Sequence, residues 1–425
     1  MKRAVALIAL VLLTLSQGFL THAVGQATPA GESTSLALTG ARIYPSPTGK
    51  PIDDGVVLIR GGKIVAVGRK GHLHVPRGVR EIDCAGLTMT AGFWNSHVHF
   101  IELKWERAAS LPPSQLTSQL QEMLTRYGFT SVFDTGSYLE ITKALRRRVE
   151  SGEVQVPQIF SAGEIIFPKG GSPPAELLRA AGFMSEKMIE ADNPQQVARI
   201  VRQKIESGAD AVKIYAQTFW DPNLKIPLEV IKAITNEAHR LGRLVLSHPS
   251  NTYGLEASVA GGVDILMHTT PQIGPWSEDL LARMRRNNVS LTPTLKLWRV
   301  EGEREGSPKS AIESFQARGV EQLRAFFQAG GQVLFGTDVG YIKDYDTAEE
   351  YEQMARAGMS YTDILASLTT NPARRFGEGR RKGRIAAGMD ADIVLLASDP
   401  ATDIKAFSKV RYTLRGGKII YQAGP

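Results

Sequence analysis

Ala91-Gly92-Phe93-Trp94-Asn95-Ser96-His97-Val98-His99-Phe100 carries the first chemical signal of the chain and opens its main architectural repeat. A short apolar and β-branched run leads into two imidazoles spaced two residues apart. In an extended strand residues i and i+2 leave the same face, so His97 and His99 point into one space. Neutral imidazole is the commonest protein ligand for zinc and its neighbours. A single His-x-His is a weak signal by itself. Its meaning depends on whether later strands end in further ligands.

Downstream, short apolar strands alternate with helical segments. Strands read at 130–134, 158–162, 211–215, 244–248, 264–268, 290–293 and 333–338. Helices read at 114–127, 138–150, 194–207, 227–241, 278–287, 310–329, 348–357 and 361–368. With the strand that ends at His99 this makes eight β/α units. Strict alternation forces right-handed crossovers and a parallel sheet, and eight units close into a barrel. Upstream the grammar changes to strands and hairpins: 36–44, 55–59 and 63–68, with a Gly61-Gly62 turn. The far end repeats it at 392–396, 410–414 and 418–421, with Gly416-Gly417. The expected class is α/β: a (β/α)8 TIM-like barrel over 87–377, with a small composite β-sandwich built from both termini, 36–86 and 378–425.

A chain of 425 residues, 43% hydrophobic and 22% charged, suits a globular protein with a large core. The formal charge of +7 is spread among acids without a basic tail, which argues against a nucleic-acid partner. Residues 1–25 read as an export leader: Lys2 and Arg3, an apolar stretch from Ala4 to Leu15, then small residues at Ala23 and Gly25 before Gln26. Cleavage there takes the charge from +7 to +5. The apolar stretch is short for a membrane span, and a retained anchor is the competing reading. Cys84 is the only cysteine, so no internal disulfide forms, and none is needed at this size. The expected destination is periplasmic or secreted, of bacterial type, and the oligomeric state stays open.

Barrel chemistry sits at the carboxyl ends of the strands. His97 and His99 end the first, Lys213 is near the end of the fourth, His248 ends the fifth, His268 the sixth and Asp338 the eighth. Of eight histidines, four fall at such positions. This arrangement resembles the amidohydrolase superfamily, and within it the imidazolonepropionase-like and prolidase-like metal-dependent hydrolases. The resemblance rests on His-x-His, Val212-Lys213-Ile214-Tyr215, Ser247-His248-Pro249, Met267-His268-Thr269, Gly336-Thr337-Asp338 and the closing run Gly383-Arg384-Ile385 to Asp392-Ile393-Val394. It implies two divalent metal ions, with zinc the expected identity. His97, His99 and Asp338 would hold one, His248 and His268 the other, and a carboxylated Lys213 would bridge them.

The implied reaction is hydrolysis of an amide in a small molecule such as a dipeptide, an N-acyl amino acid or a cyclic amide. Asp338 would take the proton of the attacking water and pass it to the leaving amine. A metal or Tyr215, which shares the inward face of Lys213, would polarise the carbonyl. Bland readings compete: a structural ion pair for Lys213, a helix cap for Asp338, a buried phenol for Tyr215. Two departures from the family pattern stand out. Asn95 occupies a position where an aspartate is common, and Gly170-Gly171-Ser172 replaces Gly-Gly-His, removing a substrate-contacting imidazole. Glu164, Lys169, Thr294 and Arg299 fall in or near loops that could line the pocket. A mononuclear deaminase or cyclic-amide hydrolase, and a non-catalytic exported metal-binding protein, are the alternative functions.

Overall fold

The computed structural model describes residues 35–185 and 188–424, so the leader expected over 1–25 lies outside the described residues. Its barrel strands are Phe93–Val98, Phe129–Asp134, Gln158–Ser161, Ala211–Tyr215, Leu244–His248, Ile265–Met267, Ser290–Thr292 and Gln332–Val333. The first three pair in parallel with one another, and the fourth to eighth do likewise. Two seams join these runs. Ser96 N–H donates to Phe335 O at 2.7 Å and His99 N–H to Val339 O at 2.8 Å, while Asp210 N–H donates to Ser161 O at 2.7 Å. At the third-to-fourth junction two short strands, Ile166–Pro168 and Ile189–Ala191, are inserted and reach the end of the fourth strand.

The amphipathic segments form helices within a residue or two of expectation, with one split. The segment expected over 114–127 is the helix Pro113–Met123 followed by a 3-10 turn, Thr125–Tyr127, that ends at left-handed Gly128. The eighth strand is shorter than its apolar run: Phe335 N–H leaves the ladder for Ser367 O at 2.9 Å, and Asp338 N–H turns to His97 O at 2.9 Å. Beneath the strand ends, Phe133, Leu246, Ile265, Met267 and Leu334 share one buried cluster. Trp94 is stacked against Phe160 and Phe376, 5.3 and 5.6 Å away. These apolar contacts give the polar strand ends a rigid floor.

Both chain ends build one eight-stranded sheet. Ile393–Leu396, from the C-terminal end, inserts between Thr88–Ala91 and Val410–Arg415. Ser35–Ile43 pairs along one edge with Ile52–Arg60, and on its other edge changes partner from Arg80–Asp83 to Thr88–Ala91. The change occurs around Gly40, whose φ of +86° and close approach to the Ala85 backbone suit glycine. Both arms contribute to a common core that includes Leu38, Ile43, Val57, Met89, Ile393 and Leu414, so the sheet folds over on itself. Among the described residues no helix is long and apolar enough to cross a membrane.

Candidate active site

The strand ends bring His97, His99, Lys213, Tyr215, His248, His268 and Asp338 to the wall of one cavity of about 1570 Å³. His97 Nε2 lies 3.2 Å from His99 Nε2. Asp338 Oδ1 completes a triangle with these atoms, 3.3 Å from His97 and 3.0 Å from His99. The His268 ring is 4.7 Å from the His97 ring and 4.5 Å from the His248 ring, centroid to centroid. Tyr215 lies flat on His248 at 4.1 Å. All six expected metal-ligand positions are therefore neighbours, although they span 242 positions of sequence.

Burial sets the charge of these groups. It pushes His97, His248 and His268 well below the ordinary imidazole range, reinforced by Lys213 and the neighbouring rings, so they stand as neutral donors. Lys213 is 2% exposed and has no ion pair among the described residues. Burial brings its pKa down to about 7, against the pull of Asp338. The Tyr215 phenol is held well above its usual range by burial, opposed by a hydrogen bond with Ser250, and remains a proton donor.

The donor set fits a divalent cation. Bonds of about 2.0–2.2 Å from nitrogen and oxygen to one ion place neighbouring donors about 3 Å apart, as in the His97–His99–Asp338 triangle. Donor atoms of His97, His268 and Asp338 also lie within 4.8 Å of one another. Neutral imidazoles beside a carboxylate are the chemistry that zinc and similar ions take.

A supporting layer fixes the donors. Asn95, in the first strand, donates from Nδ2 to Thr337 Oγ1 at 2.6 Å and accepts at Oδ1 from the N–H groups of His97 and Thr337, each at 3.2 Å. Thr294 Oγ1 meets His268 Nδ1 at 2.5 Å and fixes the orientation of that ring. Asp134, its carboxyl pushed upward by burial, accepts from Ser137 and Ser161, and Ser137 Oγ in turn accepts from Phe100 N–H at 2.6 Å. His268, Thr294 and Asp338 have φ of +72°, +46° and +59°, uncommon values that cluster at the ends of three strands. Gly340 is required beside them: a Cβ there would lie 1.9 Å from His99 O.

From sequence alone Asn95 stands on the same face as His97 and His99, but its bond to Thr337 is not readable there; Thr294 reads only as a loop residue, and nothing marks Asp134 for this layer beyond a polar side chain in an apolar strand. Three other loop candidates are engaged elsewhere. Glu164 accepts from Lys204 at 3.0 Å and from Leu139 N–H at 2.9 Å. Lys169 pairs with Asp192 at 2.8 Å on the surface, and Arg299 is tied to Glu349 at 2.8 Å and Glu303 at 2.7 Å. His72 and His74 are exposed, and His239 pairs with Asp264 at 2.7 Å.

Comparison with known proteins gives the chain's family. An ochratoxinase of Aspergillus niger is 24% identical over 420 residues, covering 88% of this chain and 85% of the relative. An imidazolonepropionase of Thermoplasma acidophilum is 23% identical over 416 residues, covering 88% and 91%. The solved structure of a Xaa-Pro dipeptidase with methionine bound in its active site superimposes with a TM-score of 0.77 at 21% identity, covering 92% of this chain and 100% of the other. The family model for the amidohydrolases matches residues 88–420. The chain thus belongs to the amidohydrolase family, hydrolases of carbon–nitrogen bonds.

Proposed function

We propose that this protein hydrolyses an amide bond in a small molecule with two divalent metal ions, zinc being the expected identity. His97, His99 and Asp338 would hold one ion and His248 and His268 the other, with a carboxylated Lys213 as the ligand shared by both. The observation that carries this reading is the 3.0–3.3 Å triangle of donors beside neutral imidazoles and a buried lysine without an ion pair. An amine with a pKa of about 7 is largely neutral at mildly alkaline pH and can add to carbon dioxide. Bound ions of this kind bring a water to nucleophilic strength near neutral pH and polarise a carbonyl.

The side chains then divide the proton work. Asp338 accepts a proton as water adds to the carbonyl carbon, and returns it to the nitrogen as the carbon–nitrogen bond breaks. Tyr215, protonated and facing the same cavity, donates a hydrogen bond to the carbonyl oxygen as it gains charge. The dipeptidase among the similar structures supports dipeptides as the first substrates to screen, and N-acyl amino acids extend the screen to other small amides. Export by a leader cleaved before Gln26 is part of the same proposal.

The test is metal content after reconstitution with zinc and bicarbonate, followed by that hydrolysis screen. About two ions per chain are expected. Lys213→Ala should lose at least one ion and its activity, and added short carboxylic acids should restore part of both. One firmly bound ion with an unaffected Lys213→Ala variant would overturn the two-metal assignment.

A further inference from the structure

Among the described residues five large hydrophobic side chains stand exposed: Val65, Leu103, Leu177, Phe219 and Trp220. Three of them line the active-site cavity. Leu177 is 65% exposed, Phe219 60% and Trp220 42%, and all three share that cavity with His97 and Asp338. Exposed apolar surface gathered on one rim marks a binding site, whereas scattered residues carry no such meaning. The rim also continues inward. Trp220 is 5.7 Å from Tyr215, and Tyr215 lies on His248. On another wall Trp298 is 6.1 Å from His268, and Phe315 is 5.6 Å from Trp298.

Two further observations bear on the occupant. The loop that carries Phe219 and Trp220 is pinned at its base: Thr218 N–H donates to Leu224 O at 3.0 Å and Ile226 N–H to Ala216 O at 2.9 Å. Its aromatic pair is therefore held in place over the cavity. The cavity, at about 1570 Å³, also exceeds the roughly 300–1,000 Å³ of a usual small-molecule site. A simple dipeptide would leave most of it as apolar surface facing water.

We infer that Leu177, Phe219 and Trp220 form a clasp for a bulky aromatic group carried by the substrate amide, with Trp298 and Phe315 lining its path. The inference rests on the hydrolase reading for the amide alone; the clasp is a statement about recognition. Continuity of the rim with the reacting centre favours substrate over a membrane surface or a second copy of the chain.

The test uses two probes whose sulfonamide resists hydrolysis, naphthalene-2-sulfonyl-alanine and methanesulfonyl-alanine, titrated calorimetrically into the metal-loaded protein. The naphthyl probe should bind at least about tenfold more tightly. Phe219→Ser/Trp220→Ser should erase most of that preference, and Leu177→Ser part of it, with circular dichroism confirming that the fold is kept. Equal affinities, or a preference that survives the double substitution, would overturn the clasp. So would rim variants that abolish self-association in sedimentation, or adsorption to phosphatidylcholine vesicles, while leaving the probe preference intact. The two readings separate cleanly. If the naphthyl preference holds but neither naphthoyl-alanine nor acetyl-alanine is cleaved, the clasp stands and the amide hydrolase falls. If both are cleaved with equal kcat/KM in the parent and the rim variants, the hydrolase stands and the clasp falls.

Discussion

Asn95 is fully buried and spends its whole amide on holding two strand ends together. It takes the N–H groups of His97 and Thr337 and gives a hydrogen to the Thr337 hydroxyl. The carboxylate of Asp338 is thereby locked against the two imidazoles that precede it by some 240 positions. Asn95→Leu preserves approximate volume but strands these buried donors, each costing about 1–3 kcal/mol. Loss of a supporting contact of this kind is expected to weaken metal affinity about 10–100-fold, read by competition with a chromophoric chelator, while His97, His99 and Asp338 remain in the chain. Unchanged affinity would show that the clamp is idle. That His97, His99, Lys213, His248, His268 and Asp338 meet at one cavity was legible, because such residues at the ends of apolar strands converge on the mouth of a barrel. The clamp was not, since its partners are distant in sequence and an amide pairs with nearly anything. The left-handed backbone at His268 and Asp338 was equally hidden: it is imposed by neighbouring strands rather than by residue type.

The same contrast holds for elements. Helices with one buried face and one wet face announced themselves by period. Thr252–Ala260 did not, because Gly254, Leu255, Ala257, Ser258 and Val259 are buried together and little contrast is left to read. Ala175–Ala180 is too short to show a period, and Lys296–Arg304 is rich in long charged side chains with a glycine inside. These last two share a position in the fold. They are loop decorations on the cavity side, where Leu177, Leu297 and Trp298 serve the pocket more than the core. The outer helices are secured differently. Glu237 on Leu228–Arg240 accepts from Arg202 on Pro194–Glu206 at 2.9 Å and from Arg240 at 2.9 and 2.7 Å. The Arg240 hydrogen bonds, with Arg202, draw its pKa down to about 2. A carboxylate depressed in the folded state stabilises above its unfolded value, about 4.3, and that contribution is lost as pH falls toward 2. The denaturant midpoint should therefore decline between pH 5 and about pH 2 less steeply in Glu237→Gln than in the parent. Because these charges lie near the surface, the difference should shrink in 1 M salt, where screening reaches about 3 Å. Parallel profiles at low salt would count against this pairing.

At the scale of the whole molecule, the sheet made from both chain ends is stitched to the barrel. Gly92 N–H donates to Asp392 O at 2.8 Å, Thr413 Oγ1 to Thr125 O at 2.7 Å and Arg415 Nη1 to Val156 O at 2.9 Å. The closing run from Gly383 to Val394 was readable as a family signature, yet its physical use lies in carboxylates that a motif cannot explain. Asp390 takes Lys63 at 2.5 Å and Arg381 at 2.9 Å. Asp392 is 6% exposed, pairs with Lys382, itself 5% exposed, and accepts Gly416 N–H at 2.8 Å. This buried pair ties the segment after the last barrel helix to a hairpin of the sheet. Removing one partner of such a pair leaves an uncompensated charge and costs about 3–5 kcal/mol, whereas removing both charges costs far less. Lys382→Met should accordingly lower the urea midpoint followed by tryptophan emission, a signal whose five reporters, Trp94, Trp105, Trp220, Trp276 and Trp298, all lie within the barrel segment. Adding Asp392→Asn, which keeps an acceptor for Gly416 N–H, should recover most of the loss. Recovery read from barrel tryptophans would mean that sheet and barrel unfold as one unit. A double variant no more stable than Lys382→Met would mean instead that the lysine acts through its packed methylenes, and that the charge on Asp392 is carried by Gly416 and the surrounding backbone.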